Sequence, residues 1–129
     1  MKRPAIPAAG LALAILLAGM ASAAPTPETA AWLGKQWARI EKRDPKTASR
    51  DLFAFALEAA AADWRPDRVE QALALAEEMQ DRDEASRTFG NFHWRLQEDA
   101  VHDANAVEFS MQVGALVRKL HHDRLTTGA

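Results

Sequence analysis

Apolar positions recur along this chain at helical spacing, broken by proline and by one long irregular stretch. Leu33, Trp37 and Ile40 lie four and three residues apart, on one face of a helix predicted over residues 27–42. Thr26 is placed to cap it, with Pro27 at its first position and Glu28 at the positive end of the helix dipole. Arg43-Asp44-Pro45 closes it, and the same Asp44 and Pro45 are set to cap and open a second helix over 46–63. There Leu52, Phe53, Ala56, Leu57 and Ala60 form a face, widened by Phe55, broad enough for two neighbours. After Trp64-Arg65-Pro66, Val69, Ala72, Leu73, Ala76 and Met79 predict a third helix over 66–80, with Arg68, Glu70, Glu77 and Glu78 facing water. A fourth, over 105–122, carries Phe109, Val113, Leu116, Val117 and Leu120 on one face, and residues 125–129 form a frayed tail.

The links between the first three helices are short, so consecutive helices are expected to run antiparallel as helical hairpins. The predicted fold class is all-α: four helices in a small bundle or part of an α/α toroid, without an internal sequence repeat. Between the third and fourth helices, residues 81–104 make a connection far longer than the two to eight residues usual in bundles. Phe89, Phe92, Trp94, Leu96 and Val101 would be costly to leave in water, so this loop is expected to be ordered against the helices.

The first residues alter the picture. Met1-Lys2-Arg3, the apolar run LALAILLA and Ala21-Ser22-Ala23 have the form of an export signal over residues 1–23. The run is short for a membrane span, so contact with a membrane is expected only if that segment stays attached. A periplasmic or secreted single domain, residues 24–129, follows. Removing 23 of the 129 residues leaves 106, and taking away Lys2 and Arg3 leaves 14 basic against 18 acidic side chains, a formal charge of −4. That mild acidity points away from nucleic acid. The chain has no cysteine, so packing alone must stabilise it.

Candidate chemistry gathers in residues 88–111. Asp103 or Asn105 is positioned to cap the fourth helix, and Asn105 with Glu108 has capping-box spacing. Alternation over 91–96 predicts a short extended segment, with Phe92, Trp94 and Leu96 on one side and Asn91, His93 and Arg95 on the other. If the aromatic side is core, the polar row faces solvent or a cleft. If the aromatic side is open, it is a stacking platform flanked by amide and guanidinium donors, a mixture suited to sugars. Asp103 and Glu108 are also the paired carboxylates that acid–base chemistry would need, though sequence gives no separation for them. A metal site would have to draw on His93, His102, Asp103, His121 and His122. Adjacent His121 and His122 point apart on a helix and no His-x-x-x-His pair exists, so neither metal nor other cofactor is expected.

GNFHW at residues 90–94, followed by DANAVEF at 103–109 and by Met111, resembles a segment near the start of secreted bacterial α/α-toroid proteins. Those proteins are similar to polysaccharide lyases and glycoside hydrolases built of stacked helical hairpins. The likeness covers residues 44–125 and implies that Asn91, Trp94, Asp103, Asn105 and Glu108 stand at a cleft. Toroids continue through many more hairpins than the two here, so an intact catalytic cavity is not expected of this chain. Two functions follow as expectations: glycan binding through Asn91, Trp94, Arg95, Asp103, Asn105 and Glu108, or a protein-interaction module without enzymatic activity.

Overall fold

The computed structural model describes residues 24–125. The expected export signal over 1–23 and the last four residues of the expected tail lie outside the described residues. Four helices follow in order: α1 (Pro27–Glu41), α2 (Ser49–Ala61), α3 (Pro66–Glu78) and α4 (Ala106–His121), with a 3-10 turn at His122–Arg124. The described residues contain no strand, and the helices pack as a small bundle, as the sequence predicts. Among them, no helix is long and apolar enough to cross a membrane.

α2 is the hub. It packs extensively against both α3 and α4, and over a smaller area against α1. This explains its broad apolar face: Leu52, Phe53, Phe55, Ala56, Ala59 and Ala60 are all buried. From α1 come Leu33, Trp37 and Ile40, and from α3 Val69, Ala72, Leu75 and Ala76, with Met79 just beyond. Leu73, expected in the α3 stripe, is only partly buried; Leu75 takes its place. Arg68 is not simply solvated, because its guanidinium carbon lies 4.6 Å from the Trp37 ring centre and ties α3 to α1.

Local chemistry accounts for the ends of the helices. The Thr26 hydroxyl accepts the Thr29 N–H at 3.2 Å, and Pro27 opens α1, as predicted. The start of α2 differs from the prediction. Asp44 spends its carboxylate on the Lys46 N–H at 3.0 Å, making a turn of its own, and the helix begins only at Ser49. There Asp51 reaches back to the Ala48 N–H at 3.2 Å. Before α3 the chain reverses through left-handed Asp63 and Arg65, and Pro66 takes the first turn.

The long connection is built, not loose. On one edge, residues 91–97 pair with the chain leaving α3: the His93 N–H donates to the Met79 carbonyl and the Asp81 N–H to the Asn91 carbonyl, both at 2.8 Å. On the other edge they pair with the chain entering α2: the Ser49 N–H donates to Trp94 at 3.1 Å and the Leu96 N–H to Thr47 at 3.0 Å. A single extended segment thus stitches two helix ends together, with bridges at Phe92 and Arg95. The intervening loop closes around the Asp81 carboxylate, which accepts the Ser86 and Thr88 hydroxyls at 2.6 Å each and the Asp83 N–H at 3.1 Å. The Ser86 and Thr88 hydroxyls, then that N–H, hold the Asp81 carboxyl below its ordinary value. Gly90, at φ 82°, makes the turn back.

Candidate functional site

The six residues singled out by sequence divide among several tasks. Alternation would place Asn91 on the side away from Phe92; instead Asn91 and Phe92 are both buried. Its side-chain oxygen accepts the Phe92 N–H at 2.8 Å and the Val107 N–H at 3.0 Å, and its amide nitrogen donates to the Ala104 carbonyl at 3.1 Å. Val107 is the second residue of α4, so Asn91 satisfies one of the free amides that an N-cap side chain would normally take. Asn105, which precedes α4, has helical backbone angles (φ −80°, ψ −12°) and makes no capping bond. The expected capping box of Asn105 and Glu108 is therefore absent, because a remote amide already occupies the position. Asp103 braces the same turn by accepting the Asn105 N–H at 2.8 Å.

Trp94 is partly buried and meets Phe109 edge-on, with ring centres 5.7 Å apart. Its backbone N–H donates to the Glu98 carboxylate at 2.7 Å. Arg95 and Glu108 are exposed, Arg95 on the extended segment and Glu108 in the first turn of α4. Asn91, Asp103 and Asn105 thus meet around the start of α4, and the Trp94 ring meets Phe109 in the same helix. A glycan cleft made from these side chains would need the Asn91 amide free, and it is spent on backbone. Among the described residues, no group of three or more His, Cys, Asp or Glu side chains is placed to hold a metal ion.

None of the six lines either of the two larger hollows. One is an open groove of about 1430 Å³ between α3 and α4, with Phe53 and Phe92 among its lining. Glu70 and Glu77 stand on its α3 side and Arg118 and Lys119 on its α4 side. The other, about 240 Å³, lies between α1 and α2, where Trp32, Gln36 and Arg39 face Asp51 and Glu58. Burial raises the Glu58 carboxyl above its ordinary value.

The least expected surface is on α4 itself. The sequence places Phe109, Val113, Leu116, Val117 and Leu120 on a buried face, but only Val117 is fully buried. α4 turns its small residues to the core. Ala106 and Ser110 are fully enclosed, and the Ser110 hydroxyl lies 2.9 Å from that of Ser49 on α2. A Cβ on Gly114 would stand 3.1 Å from the Phe53 ring, so glycine there lets α4 approach α2 closely. The large side chains are rotated outward: Phe109 is 39% exposed, Leu116 43% and Leu120 58%, with Val113 partly covered between them. Their spacing of four, three and four is that of a coiled-coil seam. Sequence does contain the seam; what it hides is which of two adjacent faces the core takes.

Comparison with known proteins supplies no relative: no family model, curated protein or solved structure matches this chain significantly.

Proposed function

We propose that this chain is an exported protein-interaction module that docks a partner helix along the outer face of α4. The carrying observation is the exposed Phe109–Val113–Leu116–Leu120 stripe, three of whose four members are more than a third open to water. Scattered exposed leucines need no explanation, but a seam at heptad spacing on one helix is what a second helix covers. The helix is well made for display. Its first turn is clamped by Asn91 and its neighbouring face is fixed to α2 through Ser49 and Ser110, so the seam is presented on a rigid support. Export rests on the form of residues 1–23. The resemblance of residues 44–125 to α/α-toroid proteins agrees with this reading, since in stacked hairpins each helix pair is covered by another.

The test is site-specific photo-cross-linking in cells that make the protein. A benzophenone side chain at Leu120 is expected to give one discrete adduct, and the same probe at exposed Arg50 on α2 none. A Leu120 probe that yields only uncross-linked chain removes the proposal.

A further inference from the structure

The partner that fits this seam is a second copy of the same chain. We infer that two molecules pair through α4 in antiparallel orientation, with Phe109 of each opposite Leu120 of the other and Val113 opposite Leu116. The inference rests on the interaction-module reading and adds the identity of the partner.

Three observations lead to it. First, the stripe is nearly palindromic in position: its members stand four, three and four residues apart, so reversing the helix superimposes the pattern on itself. A two-fold interface requires that self-complementarity. Second, charge along α4 is polar in the sense that favours antiparallel pairing. Glu108 lies in its first turn and Arg118 and Lys119 in its last, and all three are exposed. Reversing one helix sets the acidic end of each copy beside the basic end of the other and opposes the helix dipoles; parallel pairing would set like beside like. Third, only one flank of the stripe is open. The other leads through Ser110 and Val117 into the core; at helical spacing Glu108, Gln112 and Lys119 fall on the exposed flank and supply the rim, Lys119 at its far edge where it also borders the groove against α3. In the antiparallel register Lys119 of one copy comes within side-chain reach of Glu108 of its mate.

A two-helix contact of this length falls below the roughly 1,200 Å² of stable specific interfaces, so the dimer is weak. Its dissociation constant is expected on the order of tens of micromolar.

The full chain is examined by sedimentation equilibrium across a concentration series at low ionic strength. A monomer–dimer equilibrium is expected, weakened at least about 30-fold by Leu116→Glu. Glu108→Lys alone weakens it about fivefold, and Glu108→Lys with Lys119→Glu restores it to within about twofold, because each symmetric dimer holds two such pairs. Circular dichroism of each variant confirms that the fold is kept. Orientation is read independently, since the chain has no cysteine of its own. An equal mixture of Phe109→Cys and Leu120→Cys chains forms the mixed disulfide if the pair is antiparallel, and only same-site disulfides if it is parallel. A monomer at every concentration, or same-site disulfides alone, overturns the antiparallel dimer. If the purified chain is monomeric while Leu120 still cross-links in cells to a different protein, the interaction module stands and self-pairing falls.

Discussion

The bond network of Asn91 gives a sharp test of how α4 is held. In Asn91→Ala the Val107 N–H loses the acceptor that does the work of an N-cap, a change that typically costs about 1 kcal/mol. The Phe92 N–H, in a buried residue, is left without its side-chain acceptor, at about 1–3 kcal/mol. Ala104 is exposed, so water replaces the Asn91 amide at its carbonyl and little is added. The total is about 2–4 kcal/mol. For a domain near 100 residues each kcal/mol moves the melting temperature by about 4–8 °C, so a fall of roughly 8–32 °C is expected by far-UV circular dichroism. Asn105→Ala is the control. A sequence-based capping box would make it the costly change, at about 1 kcal/mol, whereas the structure gives its side chain no capping bond and predicts less than about 0.5 kcal/mol. If Asn105→Ala destabilises more than Asn91→Ala, the remote cap is wrong.

Other expectations follow from single contacts. Ser110→Ala strands the buried Ser49 hydroxyl and should cost about 1–3 kcal/mol in urea unfolding. The double change Ser49→Ala with Ser110→Ala should cost less than the sum of the two singles, and strict additivity would count against the bond. Because the Asp81 carboxyl titrates below its ordinary value in the folded chain, its contribution is complete above the unfolded-state value of about 3.9. That contribution is lost as pH falls through the lower folded value, so the protection of amides in residues 81–90, measured relative to their intrinsic exchange rates, should fall on acidification. Asp81→Asn should flatten that part of the profile, and an unchanged profile would refute the role. Gly90→Ala meets no neighbour within 4 Å but must hold φ near 82°, so a loss of about 1–2 kcal/mol in thermal melts is expected from backbone strain alone.

Much of the fold was legible because its signals are local. Thr26 with Pro27 and the Pro66 start each fix a helix end through one or two residues, and the stripes of α1 and α2 bury nearly as spaced. Asp44 misled because two structures compete for its carboxylate, and the tight turn to Lys46 wins over a helix cap. The errors at α4 share a tertiary cause. Which face of that helix goes inward is decided by how closely it can approach α2, and Ser49, Phe53, Ser110 and Gly114 settle this together across a long gap in sequence. Ranking side chains by size and hydrophobicity picks the large face, whereas close packing selects the small one. Asn91 stands out in sequence as a polar side chain interleaved with aromatics, a pattern that suggests a ligand contact. Its partners are the neighbouring Phe92 N–H, the Ala104 carbonyl and, sixteen residues on, the Val107 N–H of α4, the last of which no local rule reveals.

That borrowed amide sets an order of events. α4 has no capping side chain on the residue before it, so as an isolated peptide it should be mostly unwound, and in the chain it should take shape only after the 91–97 segment has seated between the ends of α2 and α3. The proposed docking surface is then expected to be assembled last and to exist only on a finished molecule. Half-folded chains then lack the organised ridge, and a protease cut between Asn91 and Ala106 is expected to dissolve it.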